Sequence, residues 1–261
     1  MSAILLDGGI VHYEVIGRGR PIIFLHGWLG SWRYWVPAMQ AASTGFRAYA
    51  LDLWGFGDTA RNTSLYALDK QVALLDQFLQ ELGMAKVAIV GHGLGALVGI
   101  LFAMRYPTFV DRIMAVQLPF DQASINNRLR NSSLQELTDW LLAKDAAAEA
   151  ARTDGLKADP LALSTSFSSP DFFDLMRRIT SLNTPCLLVY GQNDPAISLP
   201  NLDRAATPEN MHSIILEQSA HFPMLDDPSS FNRLLTDFLA LQSSESPREL
   251  QMKEEWKRRV R

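Results

Sequence analysis

Val87-Ala88-Ile89-Val90-Gly91-His92-Gly93-Leu94-Gly95-Ala96 decides how this chain is to be read. Its first four residues form an apolar run of strand length. Three glycines then alternate with larger residues, and Ala96 opens a helix-forming stretch that reaches Tyr106 and stops at Pro107. A strand, a sharp turn and a helix in direct succession need small residues on either side of the apex, where side chains would collide. Gly91 and Gly95 meet that need, while the apex, Gly93, carries no functional group at all. Alone the string is a weak signal, because glycine-rich strand-to-helix turns also cradle phosphates. A complete dinucleotide fingerprint is absent: Ala96 and Leu97 follow Gly95, and the next glycine is Gly99.

Working outward, Ile4 to Leu6 and Ile10 to Ile16 flank Asp7-Gly8-Gly9 and read as a hairpin, and Pro21 to Leu25 reads as a fully buried strand. Ala48 to Leu51 supplies another. Leu68, Val72, Leu75, Leu79 and Leu82 recur at spacings of four and three, which predicts an amphipathic helix over 66–82, closed by Gly83. Downstream, strands are expected at Arg112 to Gln117, Cys186 to Tyr190 and Ser213 to Leu216, with a helix from about Ser229 to Leu241. Alternating buried strands and helices imply an α/β fold, a mainly parallel sheet flanked by helices on both faces. The alternation breaks over 120–184, where a helical cap insertion is expected, helix-favouring over Ala143 to Ala151 and turn-rich beyond. The chain thus divides into a first core part (1–119), the cap (120–184), a second core part (185–242) and a charged tail (243–261).

The bulk properties narrow the partners. With 261 residues, 48% hydrophobic, the chain can bury one sizeable core. A formal net charge of -4 gives no electrostatic case for nucleic acid or an anionic membrane, which leaves a small molecule as the expected ligand. The single cysteine, Cys186, rules out an intrachain disulfide and sits in an apolar run as a core residue. No basic, apolar leader opens the chain and no apolar run reaches membrane-spanning length, so a cytoplasmic protein is expected. No metal-ligand spacing is present, and neither metal nor cofactor is implied. Monomer and homodimer stay equally open.

Four motifs follow one another in a fixed order: His26-Gly27-Trp28-Leu29-Gly30-Ser31 after the third strand, Asp52-Leu53-Trp54-Gly55-Phe56-Gly57-Asp58 after the fourth, the Gly93 turn, and the pair Gly191-Gln192-Asn193-Asp194-Pro195 and Ser219-Ala220-His221-Phe222-Pro223. In this the chain resembles the α/β-hydrolase family over about residues 4–242, in its small-molecule branch of esterases, lactonases, C-C hydrolases, haloperoxidase-like perhydrolases and dehalogenases. The resemblance implies that Gly93 stands at the nucleophile position, with Asp194 as the acid and His221 as the base. It also implies that the backbone N–H groups of Trp28 and Leu94 face a developing oxyanion. Asp52 and Asp58 resemble the family's structural loop, and Asp226 and Asp227 read as the start of the next helix. His92 and Trp54, with Phe120, Trp140, Phe167 and Phe172 from the cap, are candidate pocket walls, although the cap aromatics fit simple packing of the insertion equally well.

Glycine offers neither oxygen nor sulfur, so an acyl-enzyme at residue 93 is chemically impossible. The context Gly-His-x-Leu-Gly-Ala resembles the serine forms of the motif and implies a serine ancestor. Three readings stand side by side: an inactivated variant of an ester hydrolase, a non-catalytic ligand-binding member, and a protein using Asp194 and His221 for proton abstraction in lyase or cofactor-free oxygenase chemistry.

Overall fold

The structure is a computed structural model that describes residues 2–168, 175–200, 207–242 and 245–250. Strands β1 (Ser2–Leu6) and β2 (Gly9–Gly17) form the expected hairpin. They are followed by β3 (Arg20–Leu25) and β4 (Phe46–Leu51), then β5 (Val87–His92), β6 (Val110–Val116), β7 (Cys186–Gly191) and β8 (Met211–Leu216). The sheet runs in the order β1-β2-β4-β3-β5-β6-β7-β8. β2 pairs antiparallel with β1 and β4, and the other neighbours pair in parallel. Every residue of β5 and β7 is buried, as strands covered on both faces require. Cys186 opens β7 fully buried, and burial pushes its thiol up to about 12.

Helices α1 (Val36–Ala42), α2 (Leu68–Glu81) and α3 (Leu94–Arg105) belong to the first core part. α2 buries Leu68, Val72, Leu75 and Leu79 of the stripe read from the sequence, while Leu82 follows the last helical residue and is half-buried. It starts two residues later than expected because Ala67 is extended, behind a single 3-10 turn at Thr63–Leu65. The sequence pattern placed no helix at α1, where Trp32 to Trp35 first form a 3-10 turn and the helix then starts at Val36, with Pro37 in its first turn. His212, expected just ahead of the last strand, lies inside β8.

Between β6 and β7 the chain forms α4 (Asn127–Asn131), α5 (Leu134–Leu141), α6 (Glu149–Gly155), α7 (Pro160–Ser166) and α8 (Leu175–Ile179). The helix-favouring run from Ala143 becomes helical only at Glu149, because the Asp145 carboxylate accepts the Ala148 N–H at 2.9 Å and fixes a turn first. After β8 come α9 (Pro223–Asp226) and α10 (Pro228–Ala240), the latter capped by Asp227, whose carboxylate accepts the Ser230 N–H. The insertion is tied to the core at Asp154, a buried carboxylate that holds Ser31 Oγ, Arg33 at 3.0 Å and Lys157 at 2.8 Å. No described helix is long and apolar enough to cross a membrane. The charged tail beyond residue 250 lies outside the described residues.

Candidate functional site

The Gly93 turn sits at the carboxyl end of β5, in the middle of the sheet. Gly93 has φ 50° and ψ -108°, a backbone that side chains rarely adopt. Its N–H donates to Val116 O at 2.9 Å and the Gly95 N–H donates to His26 O at 3.0 Å, which pins the apex between the ends of β6 and β3. The flanking glycines are dictated by space: a Cβ on Gly91 would collide with the Gly95 carbonyl oxygen, and one on Gly95 with that of Leu25.

At Gly93 the crowding comes from a side chain instead. A Cβ there would lie 2.9 Å from Cζ3 and 3.0 Å from Cε3 of Trp28. The Trp28 indole is 1% exposed, donates from Nε1 to Ser166 Oγ at 2.8 Å, and stacks on Phe167 with centroids 4.9 Å apart and planes 23° apart. Ser166 and Phe167 come from the end of α7, so a cap helix holds the ring over the glycine. Among the described residues the backbone N–H groups of Trp28 and Leu94 have no acceptor.

His221 and Asp194, on the loops after β8 and β7, are joined by a 2.9 Å bond between Nδ1 and Oδ2, with side chains 2% and 1% exposed. A carboxylate only accepts, so Nδ1 carries the proton, and Nε2 of the neutral ring keeps its lone pair. Asp194 Oδ1 accepts the Ala196 N–H at 2.7 Å, which fixes the carboxylate plane.

Two residues to which the motifs give no such role brace the His221 loop. Gln117, just past β6, donates from Nε2 to Ala220 O at 2.7 Å, and does so from a strained φ of 50°, unusual outside glycine. Asp226, expected merely to begin a helix, accepts the Ala220 N–H at 2.8 Å, and its burial raises its carboxyl above the usual range. Neither carries a sequence signal, since the one depends on a backbone angle and the other on the folding-back of α9.

The candidate wall residues separate into groups. His92 is fully buried with its ring centroid 4.8 Å from that of His221. Trp28 and Phe167 meet over Gly93, and Phe120 is buried where the insertion begins. Trp54 is placed elsewhere: its ring fills the space over Gly9, where a Cβ would lie 2.8 Å away, and its backbone is clasped by the Gln71 amide at 2.9 and 3.0 Å. Trp140 packs beneath the Arg128 guanidinium, 4.7 Å from its centroid. Phe172 lies outside the described residues.

Asp52 serves its own loop, accepting the N–H groups of Trp32 at 2.8 Å and Asp58 at 3.0 Å, while burial lifts its carboxyl to about 7. His26 beside it is pushed down to about 4 by burial. His12, Asp52 and Asp58 bring one ligand atom each within 4.8 Å of one another, but Arg33 at 3.4 Å and Lys157 at 3.8 Å already supply countercharge to Asp58.

A central parallel sheet, a glycine-flanked turn at its middle strand and a His–Asp pair on the last two strands define the architecture of the α/β hydrolases. The chain belongs to the alpha/beta hydrolase fold family, which matches residues 20–174. It is 24% identical over 277 residues to human (Homo sapiens) epoxide hydrolase 4, covering 89% of this chain and 76% of that protein. It is 26% identical over 260 residues to the pimeloyl-[acyl-carrier protein] methyl ester esterase of Aeromonas hydrophila, covering 88% and 99%. Among solved structures, the enol-lactonase of Burkholderia xenovorans superposes with a TM-score of 0.79 at 18% identity, covering 92% of this chain and all (100%) of that one.

Proposed function

We propose that this protein descends from a hydrolase of small apolar esters or lactones and that Gly93, at the nucleophile position, has ended its covalent step. The observation that carries this reading is the 2.9 Å His221–Asp194 bond, kept beside a turn that has the nucleophile's backbone without its side chain. What remains is a base and two amide donors. His221 Nε2 takes a proton from water as the water oxygen attacks the acyl carbon. The Trp28 and Leu94 amides hold the resulting oxyanion, and the departing alkoxide recovers the proton from His221. Such nucleophile-free sites retain roughly 10³ to 10⁴-fold acceleration over water.

The position of Trp28 favours a second reading, ligand binding without turnover, because the indole fills the place where a reacting acyl group would meet residue 93. Proton abstraction from an acidic substrate by the same pair is the third, and activity on such a substrate that vanishes in His221→Ala would favour it.

The test compares the parent chain, Gly93→Ser, and Gly93→Ser with Trp28→Leu on short p-nitrophenyl esters, together with labelling by a serine-directed phosphonate. The double variant keeps the residue 28 amide and removes the ring that opposes any side chain at residue 93. It is expected to gain esterase activity by orders of magnitude and to take the label. Folded variants that do neither would overturn the hydrolase descent. Multiple turnovers by the parent chain, lost in His221→Ala, would exclude the pure binding reading.

A further inference from the structure

His92 and Tyr34 link the two halves of the site through a chain of hydrogen bonds with one possible proton arrangement. His92 Nε2 lies 2.8 Å from the carbonyl oxygen of His221, which can only accept, so Nε2 carries the hydrogen. His92 Nδ1 lies 3.1 Å from Tyr34 Oη, and the Gly27 N–H donates to that same oxygen at 2.6 Å. A neutral His92 must therefore accept the Tyr34 hydroxyl proton at Nδ1. Both side chains are buried away from bulk water, at 0% and 2% exposure. Burial, with His221 alongside, holds the His92 ring well below its usual range, and burial holds the Tyr34 hydroxyl protonated. One end of the chain is the backbone immediately before Trp28. The other is the backbone of His221.

We infer that Tyr34 and His92 are positioning residues that set the oxyanion loop and the His221 loop at a fixed separation through a single proton-ordered chain, Gly27 N–H to Tyr34 O–H to His92 N–H to His221 C=O. The inference rests on the reading of His221 as the retained base. Space supports the arrangement: a Cβ on Gly27 would lie 2.6 Å from His92 Nδ1, so glycine is needed for the loop to come this close to the ring. No atom of residue 93 takes part in the chain. The spacing of amide and base therefore survives the loss of a nucleophile.

Nitrogen-15 NMR of the imidazoles in the unmodified protein is the first test. His92 is expected as the neutral tautomer protonated at Nε2 throughout the folded pH range. A His92 protonated at Nδ1, or charged while the protein is folded, would overturn the inference. Tyr34→Phe and His92→Phe are then read through the His221 Nδ1 proton that bonds Asp194. Removing one link is expected to speed its exchange with water about tenfold, the loosening that one lost hydrogen bond produces. Unchanged exchange in a folded variant with lowered melting temperature would show a merely structural role and refute the proposal. Both readouts are independent of ester hydrolysis, so failure of the Gly93→Ser experiment and failure of this one are separable.

Discussion

Gly93→Ala is expected to destabilise the protein by an amount that depends on which side chain stands at position 28. The φ of 50° and ψ of -108° at residue 93 penalise any Cβ by about 1–3 kcal/mol. The new methyl would also meet the Trp28 ring at 2.9 and 3.0 Å, overpacking of the kind that costs about 1–3 kcal/mol. Restricting the unfolded chain returns about 0.4–1 kcal/mol, so the net loss is about 1–6 kcal/mol. Trp28→Val removes the ring and with it the packing part of the penalty. In that background Gly93→Ala should cost only the backbone share, about 0–3 kcal/mol. Equilibrium urea unfolding of the four proteins gives the coupling directly, expected at about 1–3 kcal/mol. Equal costs of Gly93→Ala in both backgrounds would refute the argument that the indole is seated on Gly93.

Three further outcomes follow from groups around the site. Asp52, lifted by burial to about 7, binds a proton more tightly folded than unfolded, so its contribution is fully present below about pH 4 and is lost as pH rises through about 7. Asp52→Asn should flatten that decline in a pH series of denaturant unfolding, and an unchanged slope would contradict the assignment. Gln117→Leu leaves the half-buried Ala220 carbonyl without its donor and should cost about 0.5–1.5 kcal/mol, seen as a lower urea midpoint, whereas a neutral effect would show that the bond contributes nothing. Asp154→Ala removes the shared partner of Ser31, Arg33 and Lys157, and should raise protease cleavage within the insertion before the core unfolds; unchanged cleavage would mean that other contacts hold the cap.

The sheet was legible because β3, β4, β5 and β7 are short, mainly apolar runs that end at or beside a histidine, aspartate or glycine, and the loops after the strands carry His26, Asp52, Gly93, Asp194 and His221. The pairing of His221 with Asp194 could be read because chain order and strand ends together fix where each loop emerges. Rotamers and backbone angles could not be read. The motif points to the Trp28 amide, yet it is the ring of that residue that crowds Gly93, and Gln117 reaches Ala220 only through a positive-φ backbone that no pattern announces. Trp54 stands within its motif as a pocket candidate, but the small Gly9 draws the ring under the hairpin. Helix α1 escaped because its seven residues follow an aromatic run with no helical period.

The lone thiol gives this protein a built-in clock. Cys186 is fully enclosed at the start of β7, the strand whose far end leads to Asp194, and its high pKa keeps the reactive thiolate scarce. A disulfide reagent can modify it only while that strand is open, so under fast-reclosing conditions the labelling rate measures the opening free energy of the element that leads to Asp194. Every variant above can be timed on this one native reporter, with no probe added and no second cysteine to confuse the signal.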